Sequence, residues 1–147
     1  MVLESPCLAR SLPNAGDTRR RPLLVFDGAC GFCTWFVGRL AQHPSTVSWG
    51  FIPFQSLSDR ELEHLGMSRS ACRVAVHVVD ESGRVLRGAL AINAVLERRR
   101  AIRLLVRIVR AIRPLLELEV RAYTFVASNR VAISRLLGTA RCALYEE

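Results

Sequence analysis

Lysine is absent: every basic side chain of this 147-residue chain is arginine or histidine, and the formal net charge is +8. An all-arginine set is what the codon usage of a GC-rich genome produces, so it carries no functional message by itself. The excess charge favours an acidic partner, whether nucleic acid, anionic lipid or an acidic protein surface. No apolar run approaches the ~18 residues of a membrane span, and the N-terminus lacks the apolar core of a signal peptide. Nor is there a disulfide framework: the five cysteines are odd in number and scattered, unlike those of a small secreted scaffold. Together these absences make a reducing cytoplasm the expected location. With 50% hydrophobic residues the chain can build one domain without staples, since a domain of this size buries about 70% of its unfolded surface.

The chain is organised around Leu23-Leu24-Val25-Phe26-Asp27-Gly28-Ala29-Cys30-Gly31-Phe32-Cys33. A short apolar run bounded by an Asp-Gly turn reads as a buried strand, and Thr34 to Gln42 has helical apolar spacing. A strand ends, the chain turns, and two cysteines open a helix. The first helical turn presents unpaired N–H groups and the positive end of the macrodipole, which stabilises a thiolate. Thiol-disulfide exchange needs one cysteine of lowered pKa and a second close enough to resolve the mixed disulfide. Cys30 is therefore the expected nucleophile at the exposed end and Cys33 the resolving thiol one turn inward. The helix terminus contributes roughly 0.3 to 1 kcal/mol, up to about 2 in good geometry, and with about 1.4 kcal/mol per pKa unit it can lower Cys30 by about one unit.

Asp27 has two compatible readings: a general acid/base for the proton of Cys33, or a side chain that orders the Asp-Gly turn. The rival for the pair is structural zinc, which wants four ligands. The other candidates, Cys7, Cys72, Cys142, His43, His64 and His77, include no second pair at ligand spacing.

Asp27-Gly28-Ala29-Cys30-Gly31-Phe32-Cys33 resembles the signature of the DCC family of predicted thiol-disulfide oxidoreductases, small proteins with a thioredoxin-like core. Phe51-Ile52-Pro53-Phe54-Gln55-Ser56 is similar to the family's second landmark, and Tyr123 with Asn129-Arg130 to its C-terminal one. Cys142 falls where many members carry a late cysteine. The resemblance covers roughly residues 23–142 and implies a fold and a dithiol activity, but no substrate.

Residues 1–21, with Pro6, Pro13, Gly16 and Arg19-Arg20-Arg21, read as a disordered basic leader in which Cys7 is incidental. Residues 22–97 read as a thioredoxin-like α/β core, βαβ then ββα, with a mixed four-stranded sheet. In that core Trp35, Phe36, Val37 and Leu40 line the first helix, the aromatics more as core than as a substrate groove. The second strand runs through Val47 to Phe54 on the alternation of Val47, Trp49 and Phe51, parallel to the first after a right-handed crossover. Ser58 to Leu65 is a short helix with Ser58 as cap, Glu61 at the capping-box position and Gly66 as stop. The third strand is Val74 to Val79, entered through Ser70-Ala71-Cys72-Arg73, with His77 buried and neutral and Cys72 a structural thiol near the strand entrance. Asp80-Glu81-Ser82-Gly83 turns it into Arg84 to Arg87, and Ala89 to Leu96 is helical. No proline stands where thioredoxins place the cis-proline that faces the dithiol; Pro53 and Gln55 are the alternative site-shaping residues at the end of the second strand, beside a plain turn role for Pro53.

Residues 98–147 read as a helical extension packed on the same domain. On the helix Arg98 to Arg113, Arg99, Arg103, Arg107 and Arg110 share one face and Ala101, Leu105, Ile108 and Ile112 the opposite one. Two outcomes follow from that pattern. Either the apolar face packs on the sheet and the arginines are solvated, which is the more ordinary arrangement, or the helix touches an anionic lipid or nucleic-acid surface through its arginines. The helix has no aromatics for base stacking. Pro114 breaks it, a further helix runs from Leu115 to Ser128, and Val131 to Leu137 is a last one stopped by Gly138. If the tail folds over the sheet, Cys142 becomes a third redox thiol.

The expected function is thiol-disulfide oxidoreduction, acting on a disulfide-containing protein or a low-molecular-weight thiol substrate. A dithiol that cycles to a disulfide needs no bound cofactor, and electrons come from a thiol donor or a reductase. The alternative is a redox-sensing or zinc-binding module that docks through the arginine-rich helix.

Overall fold

The computed structural model describes residues 21–139; the leader with Cys7 and the tail with Cys142 lie outside the described residues. Strand β1 (Leu23–Phe26) is covered on both faces, so all four of its residues are buried. It pairs in parallel with β2 (Gly50–Pro53) and antiparallel with β3 (His77–Val79), which pairs antiparallel with β4 (Val85–Arg87). The sheet order is β2-β1-β3-β4, the mixed four-stranded arrangement of a thioredoxin-like core.

Alternation along β1 sorts the core into two layers. Leu24 and Phe26 pack with Val37 and Leu40 of helix α1 (Gly31–Ala41) and with Ala91 and Val95 of α4 (Ala89–Leu96). Leu23 and Val25 pack on the other face with Leu62 of α2 (Asp59–His64) and Cys72 of α3 (Arg69–Val74). The extension is α5 (Arg100–Ala111), α6 (Arg113–Ser128) and α7 (Arg130–Leu136).

Locally driven elements fall where their residues place them. Ser58 Oγ accepts from the Glu61 N–H at 3.3 Å while a Glu61 carboxylate oxygen accepts from the Ser58 N–H at 2.7 Å, the capping box in full. Asp80 closes the β3–β4 hairpin by accepting from the Ser82 and Arg84 N–H groups, with Gly83 at φ 83°.

Three expectations are corrected. The second strand is shorter than Val47 to Phe54: Pro44–Thr46 and Phe54–Ser56 are 3-10 turns, and Val47 is 77% exposed. His43 caps the first of those turns, and Pro44 at its start draws the chain away from a strand. The third strand is shorter than Val74 to Val79: β3 begins at His77, and Val74 ends the helix α3. Ser68 caps α3 by accepting from the Ala71 N–H, and Arg69 fixes its start on Asp59 and the Leu57 carbonyl at 2.7 and 2.6 Å.

The third correction concerns α5, whose apolar face does not pack on the sheet. Leu105, Ile108 and Ile112 are exposed and Val106 is the buried residue. Glu97 at the end of α4 turns the arginine side inward: its carboxylate accepts from Arg107 Nε and Arg110 Nη1 at 3.1 and 2.9 Å, and its carbonyl from Arg103 Nε at 3.0 Å. Cations over a helix C-terminus are favoured by its dipole.

Candidate active site

Cys30 is the N-cap of α1, in extended conformation, and its sulfur accepts a hydrogen bond from the Cys33 N–H at 3.2 Å. The cap also takes the Thr34 N–H on its carbonyl at 2.9 Å. The dithiol is thus built as the cap of a helix. The hydrogen bond from the Cys33 side chain is the largest influence on Cys30. With help from the Cys33 N–H and the Arg130 guanidinium, it outweighs burial and the Asp27 charge, lowering the thiol from 9.0 to about 7. Cys33 is driven the opposite way, first by that same hydrogen bond to Cys30 and then by burial. One sulfur is readily ionised and its neighbour keeps the proton.

The exposure of the pair is the reverse of the order expected along the helix. Cys30 is buried and Cys33 only partly so. The extension packs over the first turn of α1 beside the pair. A Cβ on Gly31 would collide with the Thr139 carbonyl and stand 2.8 Å from Ser134 Oγ. Gly31 is therefore a packing requirement where the extension meets the first turn of α1.

Asp27 performs the turn role read from the sequence and more. Its Oδ1 accepts from the Ala29 N–H at 3.1 Å and from Gln55 Nε2 at 2.7 Å, and its Oδ2 pairs with Arg130 at 3.2 Å. Gln55 closes the loop by accepting from the Gly28 N–H on its own Oε1 at 3.0 Å. The residue that shapes the site from the end of β2 is therefore Gln55, while Pro53 ends the strand opposite Phe26 and lends its carbonyl to Ser56. Arg130 begins α7, and its partnership with Asp27 spans most of the chain; the sequence offered only its place in a family landmark as a signal.

A cavity of about 380 Å³ opens beside Cys33 between α1, α4 and α6, with walls that are mostly apolar and partly aromatic: Phe26, Phe32, Phe36 and Tyr123. Phe32 stacks on Phe36 with ring centroids 6.1 Å apart. Of the aromatics of α1, Phe32 and Phe36 line the cavity and Trp35 does not; Phe36 also packs against the core cluster to which Val37 and Leu40 belong. Asp27, Arg130 and Cys72 also border the cavity. Cys72 is itself buried, which pushes its thiol up. Tyr123 takes the Val76 N–H on its hydroxyl at 3.1 Å, and the Val76 carbonyl accepts from the Gly88 N–H. The backbone at the mouth of β3 is thereby occupied from within the chain.

His77 lies in β3, buried, with Nδ1 2.9 Å from the Ala75 carbonyl. Its burial lowers its pKa, in keeping with a neutral core residue. Among the described residues no group of three or more His, Cys, Asp or Glu side chains is placed to hold a metal ion. No helix among them is long and apolar enough to cross a membrane.

The model of a family described as DCC1-like thiol-disulfide oxidoreductase matches residues 24–136, well over half of the chain. No curated protein and no solved structure matches it significantly.

Proposed function

The chain belongs to the DCC1-like thiol-disulfide oxidoreductase family, and we propose that it reduces or exchanges disulfides with Cys30 as the nucleophile and Cys33 as the resolving thiol. The observation that carries this reading is the asymmetry of the pair: a helix-capping thiol lowered to about 7 beside one that holds its proton. A thiol with a pKa near ambient pH combines a large thiolate fraction with good nucleophilicity.

The Cys30 thiolate attacks one sulfur of a substrate disulfide, forming a mixed disulfide and releasing the other sulfur as a thiolate that takes a proton from water. Cys33 then loses its proton and attacks the Cys30 sulfur. The substrate's second thiolate departs, and a Cys30–Cys33 disulfide remains. Two electrons have passed to the substrate, and an external thiol donor or reductase returns them. The Cys33 proton needs an acceptor, and Asp27 is the carboxylate whose charge reaches both sulfurs. In this reading Asp27, which borders the same cavity as Cys33, takes that proton. The mostly apolar walls of the cavity beside Cys33 offer a surface for the apolar part of a substrate next to the reacting sulfurs.

The test is a titration of the purified protein in defined dithiol/disulfide buffers, with free thiols trapped and the bridge located by mass spectrometry. A reversible Cys30–Cys33 bridge with a potential between roughly −270 and −120 mV supports the reading. So does loss of insulin-disulfide reduction in Cys30→Ser. Absence of the bridge, or activity retained in that variant, refutes it.

A further inference from the structure

We propose that the outer face of α5 docks on an anionic lipid surface, with the helix lying in the plane of the interface. The sequence pattern alone left this as the less ordinary outcome, because an amphipathic helix normally hides its apolar face against the protein. Here it does not. Leu104, Leu105, Ile108 and Ile112 are 70, 60, 42 and 44% exposed, and among the described residues nothing covers them. On the other side of the helix Arg103, Arg107 and Arg110 gather on Glu97, which ties that side to the end of α4 while the Arg107 and Arg110 side chains stay partly exposed.

The charge at the rim suits anionic lipid. Leu104 is preceded one turn earlier by the exposed Arg100, and Arg113 is exposed just beyond the helix end; Arg107, one turn later, is paired with Glu97 and still exposed. Between Arg98 and Thr139 the chain carries ten arginines against two glutamates. Helices with an apolar face and a strongly cationic border sink their apolar side chains about 5–10 Å into the headgroup boundary. A second copy of this chain is a poorer occupant, since a self-complementary contact brings identical cationic rims together. Nucleic acid is poorer too, because α5 has charge but no aromatic side chain on which a base can stack.

The test uses the full chain and vesicles of phosphatidylcholine with and without phosphatidylglycerol, read by co-sedimentation at low and high salt. Binding should require phosphatidylglycerol and weaken with salt. Leu104→Glu should reduce it at least about tenfold, from the loss of one buried leucine, and Arg100→Gln about fivefold. Both substitutions are at the surface, and unchanged thermal melting separates lost docking from lost folding. Cys30→Ser should bind vesicles as the parent does, so this proposal and the dithiol reading fail independently. Three results overturn the proposal: no binding, equal binding to pure phosphatidylcholine, or binding indifferent to Leu104→Glu. A dimer that Leu104→Glu dissociates, without vesicle binding, would assign the face to self-association instead.

Discussion

The core and the extension solve opposite problems. Residues 22–97 carry six arginines against seven acidic residues and bury their large apolar side chains in two layers around the sheet. Of the large hydrophobic residues left exposed, Val47, Val74 and Leu90 belong to the core; the others lie beyond Arg98. The extension is tied down by a few specific contacts instead: Tyr123 on Val76, Glu119 on Asn93, Arg130 on Asp27, and Ser134 with Thr139 over Gly31. The difference teaches that a sheet layered on both sides can define a fold by burial alone. The helices that follow are fixed in part by specific polar contacts, and the apolar side chains Leu104, Leu105, Ile108 and Ile112 of α5 stay exposed.

The sharpest way to break the comparison is to make one substitution in both regions. Leu62→Ala, at a fully buried core position, should cost about 2–5 kcal/mol in urea unfolding. Leu104→Ala on α5 should stay within about 0.5 kcal/mol. Similar costs would show that the outer face of α5 is not free.

Gly31→Ala tests the seam between the regions. The added methyl must displace the Thr139 carbonyl or shift α1, a cost of about 1–3 kcal/mol. Hydrogen exchange should show α7 loosening before the sheet does; uniform loosening would mean that the seam is not where the strain falls.

Acid should weaken the core through His77. Burial lowers its pKa below 6.5 in the folded chain, so as the pH falls through about 6.5 the unfolded chain takes up the proton first. Stability is therefore full above that pH and declines below it, and His77→Gln should flatten that part of a stability–pH curve.

The smallest effects sit at the thiol itself. Alkylation of Cys30 should follow a midpoint near pH 7. Cys33→Ala should move it upward most, since the Cys33 side-chain hydrogen bond is the largest lowering influence. Arg130→Gln should move it upward less, and Asp27→Asn slightly downward. An Arg130→Gln midpoint identical to the parent's would mean that the extension contributes packing to the site but no charge.

Much of this was legible from the residues in order. The Asp-Gly turn, the cysteines at a helix start, the Ser58–Glu61 capping box, the Asp80–Gly83 hairpin and the stop at Gly138 each depend on groups within a few positions of one another, so local chemistry determined them. Tertiary structure decided that position 31 must be glycine, because Thr139 meets Gly31 only when the extension folds back. It also decided that Gln55 and Arg130 hold Asp27, and which way α5 faces. A helical pattern gives the angle between two faces but not which one turns inward. That choice was made by Glu97, whose carboxylate and carbonyl collect three guanidinium groups and turn the leucines of α5 outward.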